Sequence, residues 1–266
     1  MSRARFRLER FAAEHEPLAR ITVARARGST PRETGAWMLV GHDATFGTIG
    51  GGRLEFLAID HARQLLTGGA APAMAIPLGP ELGQCCGGNV DLAFETMDAD
   101  ALERLGKTVV EEEAAQPQVI VFGAGHVGRA LAHAFSALPV RLVVVETRAD
   151  ALTDLPESVE AHCTAMPETH VEAAPAGSAF IVLTHDHALD FLLVAAALKR
   201  RDAAYVGMIG SATKRATFER WHAREADGTT EERANLVCPI GGAEVHDKRP
   251  EVIAALVAAE VLRTIL

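Results

Sequence analysis

Apolar and polar positions change their period partway along the chain. The opening stretch, MSRARFRLERFAAEHE, reads as a helix with a polar face. Residues 20–47 then read as β-structure: a strand at 20–27, a turn at Gly28-Ser29-Thr30-Pro31, and a second strand at 36–40. Gly47 to Gly52 is expected to be a mobile loop poor in side chains. Leu54, Leu57, Ala58, Ala62, Leu65 and Leu66 follow on one helical face, which stops at Gly68-Gly69. A strand is expected at 73–78, and Val90, Leu92 and Phe94 alternate with Asp91, Ala93 and Glu95 as a half-buried strand does. The first hundred residues thus predict a mixed α+β body.

Beyond residue 118 apolar runs alternate with amphipathic segments. Strands are predicted at 118–122, 140–146, 158–162, 179–184 and 203–209, and helices at 126–138, 188–201, 211–226 and 250–266. Pro250 suits a first helical turn, where its missing N–H costs nothing. Such alternation predicts an α/β domain with a doubly wound, mainly parallel sheet. Between the two patterns Glu111-Glu112-Glu113 precedes Pro117, a charge run and a breaker that suggest a linker. The expected division is 1–105, a linker at 106–117, and a Rossmann-like domain at 118–266.

A net charge of −9 over 266 residues gives a nucleic-acid partner no electrostatic support. The N-terminal stretch is too charged for a secretory leader, and charges such as Glu260 and Arg263 interrupt the apolar runs, so no membrane span is expected. Four cysteines in a chain of this size do not make a disulfide framework, and reduced thiols in a cytoplasmic protein are the expectation. A homodimer is the ordinary expectation for assembly.

The candidate chemistry centres on QVIVFGAGHVGR at 118–129, where Gly123, Gly125 and Gly128 stand between a strand and a helix. Gly123 permits a tight turn, Gly125 lets backbone N–H groups approach an anion, and Gly128 lets helix and strand pack closely. The helix beginning at His126 directs its positive dipole end to the same point. Glu146 follows roughly 20 residues on, at the acidic position that bonds a ribose hydroxyl in NAD sites, with Arg148 beside it. NAD(P) is therefore one candidate ligand.

Leu82-Gly83-Gln84-Cys85-Cys86-Gly87-Gly88 is a second candidate. Paired glycines remove the neighbours that would bury the two thiols, and soft thiolates suit thiophilic metal centres. Adjacent cysteines form only a strained ring disulfide, and C-C-G-G is not a zinc spacing. In Thr184-His185-Asp186-His187-Ala188-Leu189-Asp190, His185, His187 and Asp190 could bind a metal or move protons, while either aspartate could cap a helix. Ser211 is expected as an N-cap. Lys214 and Arg215 in the turn that follows would oppose the helix dipole unless an anion relieved them. Arg32 and Arg53, beside glycine loops, add to the case for a large anionic ligand.

These motifs occur in a recognisable order. GSTPR (28–32), GTIGGGRLE (47–55), LGQCCGG (82–88), FGAGHVG (122–128), THDHALD (184–190), YVGMIGSATKR (205–215) and CPIG (238–241) together resemble the XdhC/CoxI family, accessory proteins of xanthine dehydrogenase and related molybdenum hydroxylases. The resemblance implies an N-terminal XdhC-type domain and a C-terminal Rossmann-like domain. It also implies an accessory chaperone rather than a catalyst. Such a protein binds molybdenum cofactor (molybdopterin), supports its sulfuration with a cysteine desulfurase, and delivers it to the apo molybdenum hydroxylase subunit. Cys85 and Cys86 match the family's paired cysteines and inherit the suspected contact with the cofactor's molybdenum. Gly123, Gly125, His126, Gly128, Glu146, His185, Ser211, Lys214 and Arg215 are the remaining expected cofactor contacts. After CPIG the sequence departs from the family's usual Leu-Pro-Gly-Ile-like turn, and residues 242–247 differ. An NAD(P)-dependent oxidoreductase and a metal-dependent protein using His185, His187 and the cysteines are the competing readings.

Overall fold

Two sheets divide the chain. The computed structural model describes residues 2–79, 87–242 and 244–266, which form one unit over Met1–Glu112 and another over Glu113–Leu266. In the first unit β1 (Leu18–Arg27), β2 (Trp37–Val40), β3 (Thr45–Gly47), β4 (Ala73–Pro77) and β5 (Asn89–Met97) form a sheet ordered β3-β2-β1-β5-β4. Every neighbouring pair is antiparallel. Period-two alternation sends Ala19, Ile21 and Val23 to one face, against Leu54, Ala58 and Ala62 of α2 (Gly52–Leu66). Leu18 and Leu39 face the other side, where Leu8 and Ala12 of α1 (Arg3–His15) meet Leu105 and Val109 of α3 (Ala99–Ala115).

Two expectations change here. Residues 106–115, expected in the linker, continue α3. Leu105 and Val109, four residues apart, bury one face of the helix, and Glu111 and Glu112 lie exposed on its other side. The loop ahead of α2 is also pinned rather than mobile. Thr48 Oγ1, Ile49 N and Gly51 N all donate to Glu55 Oε2, at 2.5, 3.1 and 3.1 Å, and Ile49 is fully buried.

The second unit is a parallel, doubly wound sheet. Its elements are β6 (Gln118–Phe122), α4 (His126–Phe135), β7 (Arg141–Glu146), β8 (Glu160–Cys163), α5 (Glu168–Ala173), β9 (Ala179–Val182), α6 (His187–Lys199), β10 (Tyr205–Met208), α7 (Ala212–Arg224), α8 (Thr230–Ala234), β11 (Leu236–Val237) and α9 (Pro250–Ile265). The order is β11-β10-β9-β6-β7-β8, with every pair parallel. From β6 the chain winds outward through β7 and β8, then returns to wind the other way through β9, β10 and β11. That is the dinucleotide-fold order, with its switch point between β6 and β9. The central strands are apolar on both faces because both are covered. Val119, Val121, Val144 and Ile181 pack under α4 and α9, whereas Ile120, Phe122, Val143 and Phe180 pack under α5, α6 and α7. Among the described residues no helix is long and apolar enough to cross a membrane.

Candidate functional site

The carboxyl ends of β6 and β9 diverge at the switch point, so the turns after them frame a crevice. Gly123 has φ +111°, and a Cβ there would sit 2.5 Å from the Leu183 carbonyl oxygen. A Cβ on Gly128 would run into the carbonyl oxygen of Gly123. Both glycines are thus required by the protein's own packing. Gly125 is different: its φ is −68°, and a Cβ would meet nothing within 4 Å. It is the N-cap of α4 and supplies no side-chain cap, whereas Asp186 and Ser211 cap α6 and α7. The first N–H groups of α4 therefore lack the side-chain acceptor that the neighbouring helices have, and His126 beside them is exposed.

Glu146 does not face the crevice as a free acceptor. It is 3% exposed and accepts from the N–H groups of Ala124, Thr147 and Arg148 at 2.9, 2.8 and 3.1 Å. Burial pushes its pKa up. The bonds from Ala124, the Arg148 side chain, Thr147 and the Arg148 amide outweigh that, so the carboxyl is held below its usual value. A carboxylate engaged in this way clasps the glycine turn to β7.

The cations expected to await an anion already have one. Asp190, fully buried, accepts from Thr184 N at 2.9 Å, Thr184 Oγ1 at 2.7 Å and Lys214 Nζ at 2.5 Å. Lys214 also donates to the Ile209 carbonyl at 2.9 Å, folding back over Gly210, where a Cβ would sit 2.7 Å from its Cδ. Arg215 is held by Glu219 at 2.9 Å and the Cys238 carbonyl at 3.2 Å. Asp186 is the cap of α6, leaving His185 and His187 exposed. Among the described residues no group of three or more His, Cys, Asp or Glu side chains is placed to hold a metal ion.

Cys85 and Cys86 lie outside the described residues. The chain on either side is tied by backbone bonds: Leu78 N donates to the Gly88 carbonyl at 2.7 Å, and Ser29 pairs with Gly87. A Cβ on Gly88 would run into the Ser29 carbonyl, and one on Gly50 would run into Pro31. The motifs at 28–32 and 47–55 therefore meet at the strand end that adjoins the cysteine segment. Arg53 there is exposed, and Arg32 pairs with Glu33 at 3.6 Å.

One feature of the second unit is not legible in any single motif. A pocket of about 650 Å³ opens at the carboxyl edge between Val127 of α4, the Ile209-Gly210-Ser211 turn, the segment after β11, and Ile253 and Leu256 of α9. Glu260 anchors its wall by accepting from Tyr205 OH and Gly241 N, both at 2.8 Å. Burial and the nearby carboxylate push the Tyr205 phenol well up, so it stays a donor. Gly207 makes room, since a Cβ would sit 2.5 Å from the Tyr205 ring. The available signal was an acidic residue, Glu260, between the apolar runs of α9.

The profile described as the XdhC Rossmann domain matches residues 119–261, and the one described as the XdhC and CoxI family matches residues 11–75. The chain belongs to the XdhC family. Escherichia coli (strain K12) has a relative of this XdhC-family chain, described as uncharacterized protein YqeB. It is 29% identical over 264 residues, covering 93% of this chain and 43% of the relative. The chain thus spans less than half the length of that curated relative. A crystal structure described as a xanthine dehydrogenase from Bacillus halodurans is similar with a TM-score of 0.79 at 18% identity, covering 100% of this chain and 96% of that one. At that identity the likeness speaks for the fold.

Proposed function

We propose that this XdhC-family chain is an accessory chaperone that binds molybdenum cofactor and serves the maturation of a xanthine dehydrogenase-type molybdenum hydroxylase. The carrying observation is Gly125, a bare N-cap at the topological switch point that no neighbouring protein atom requires to be glycine. An uncapped helix start receives a phosphate well, because its N–H groups and dipole converge there. Gly123, Gly128 and Glu146 shape and hold the turn, Gly125 and His126 meet the phosphate end, and Ser211 and His185 border the crevice. Asp190, Lys214 and Arg215 act on this site by fixing the adjoining turns. Cys85 and Cys86 enter through their chemistry: soft thiols suit the metal–sulfur end of the cofactor. Sulfuration with a cysteine desulfurase, and delivery to the apo hydroxylase subunit, complete the reading.

The test is expression of the full chain in cells with an intact cofactor pathway, followed by oxidation and pterin fluorescence. Fluorescent pterin is expected with the wild type and a large loss with the Cys85→Ser/Cys86→Ser double variant. Absence of pterin from the wild type, or undiminished pterin in the double variant, would sink the proposal.

The NAD(P) oxidoreductase reading draws support from the strand order and the glycine turn. The internal engagement of Glu146 weighs against it, since both carboxylate oxygens already accept from the protein's own amides. Titration with NADH is expected to give no saturable binding at millimolar concentration, and tight binding would restore that reading.

A further inference from the structure

The two halves of the crevice are unequally equipped. On the β7 side, where a dinucleotide's adenosine rests, the acidic reader is buried and bonded to three backbone amides. On the β10 side lies the 650 Å³ pocket, within the usual range for sites that enclose a small organic ligand. Val127 stands inside the glycine motif itself and also lines that pocket, so the phosphate position and the pocket are contiguous.

The lining says what class of group fits. Ile209, Ile240, Ile253 and Leu256 supply aliphatic surface. Gly210, Gly241 and Gly242 contribute bare backbone, whose peptide groups can serve ring nitrogens and exocyclic oxygens. A Cβ on Gly242 would meet no protein atom within 4 Å, and its φ is +75°. The Gly241 amide is tied to Glu260 on α9, so this wall is built before any ligand arrives. Lys248 lines the same pocket and is exposed without an ion pair to any described residue, in contrast to Lys214 and Arg215. Aliphatic walls, glycine backbone and the Lys248 ammonium, beside an Asp247 carboxylate already paired with Arg249, suit a flat, polar-edged ring that carries a phosphate. A fatty chain would leave the peptide groups unserved.

We infer that this pocket holds the planar nitrogen-heterocycle end of a phosphorylated ligand whose phosphate sits at the glycine turn, with the Lys248 ammonium donating to acceptors on the edge of the ring. The inference rests on the phosphate placement proposed above and adds which side of the crevice the ring occupies. A pterin and a nucleobase share this chemistry, and the probes below separate them.

The experiment is calorimetric titration of the full, cofactor-free chain with 6-hydroxymethylpterin phosphate, CMP, GMP, ribose 5-phosphate and pyrophosphate. At least one ring-bearing probe is expected to bind about tenfold or more tighter than ribose 5-phosphate. Leu256→Trp, which fills the pocket, is expected to erase that advantage while leaving pyrophosphate affinity unchanged. Lys248→Glu is expected to weaken the same probe about tenfold; its exposed position makes it the variant to rely on if Leu256→Trp fails to fold. Equal affinity for ribose 5-phosphate and every ring-bearing probe would overturn the inference. So would an undiminished ring advantage in both variants, or no ring-bearing probe binding at millimolar concentration. Pterin that co-purifies undiminished with the Lys248→Glu and Leu256→Trp proteins would sink the ring pocket alone. Nucleotide binding that both variants abolish, without any co-purifying pterin, would keep the pocket and sink the cofactor proposal.

Discussion

The three motif glycines do two different jobs. Gly128 is a packing glycine, because the Gly123 carbonyl occupies the space a methyl group would need. Gly128→Ala is therefore expected to destabilise the second unit by about 1–3 kcal/mol, read as a lower urea midpoint. Gly125→Asp places a carboxylate where α4 lacks a cap, so its unfolding midpoint should hold or rise by the few tenths of a kcal/mol that separate Gly from Asp at an N-cap. The same carboxylate would occupy and repel at the phosphate position, so pterin co-purification is expected to vanish from a fully folded protein. A stable Gly125→Asp protein that still carries pterin would remove this turn from the site. His222 makes a separate prediction. Its ring is 2% exposed, stacked on Phe218 and covered by Gly228, and its Nδ1 has no partner. Burial lowers its pKa, against the pull of Glu232, so the folded state binds this proton less readily than the unfolded chain. Its contribution to stability is complete above the unfolded value of about 6.5 and is lost as the pH falls below it toward the folded value. Urea midpoints measured from pH 7.5 down to pH 5 should show that loss in the wild type and not in His222→Gln.

Between elements, carboxylates set the geometry of this molecule. Glu55 gathers the loop before α2, Glu146 gathers the glycine turn, Asp190 joins the β9–α6 turn to α7, and Glu260 ties β10 and the pocket wall to α9. In each case the acidic group accepts hydrogen bonds that a bound anion could otherwise take. The Asp190–Lys214 pair is the costliest to break, since Asp190 is fully buried. Lys214→Met is expected to destabilise by about 3–5 kcal/mol, because it leaves that carboxylate unpaired away from water. Adding Asp190→Asn should recover a substantial part of the loss, and a double-mutant cycle by chemical denaturation measures it. Additive losses would mean the pair carries no coupling. The sequence made Lys214 visible as a cation in a first helical turn but not its partner, which lies 24 residues earlier in the chain. Helical periodicity was a better guide at 126–138, where the apolar stripe of α4 carries the helix as far as Phe135. It was a poorer one at 106–115, where three successive glutamates mask a helix whose buried face is carried by Leu105 and Val109.

Across the whole second unit, the strand order gathers the motif-bearing turns at one edge. All six strands are parallel, so the turns carrying the glycine motif, Thr184–Asp190 and Ile209–Ser211 leave the sheet at the same end. Hydrogen exchange should then distinguish protein carrying cofactor from protein made in cells without the cofactor pathway. Slower exchange is expected at 123–128, 209–211 and 239–248, and unchanged exchange in the turns at the amino ends of the strands. Protection spread evenly over both ends would point to a binding mode other than this crevice.

Sequence alone determined what depends on neighbours along the chain. The alternation of Val119, Val121, Ile120 and Phe122 onto two apolar faces, the tight turn at Gly123 and the helix start at His126 are local, so period and turn chemistry suffice to read them. The family motif at 122–128 lies on those local features. Tertiary structure decided which polar groups remain available. Glu146, Lys214 and Arg215 stand at positions that suggest ligand contacts, yet folding delivers internal partners to all three. The pocket wall needed the same long reach, since Glu260 meets Tyr205 across 55 residues. A charged side chain is recognised as ligand-binding by what it lacks, and only the packed molecule shows which acceptors and donors have been left without a partner.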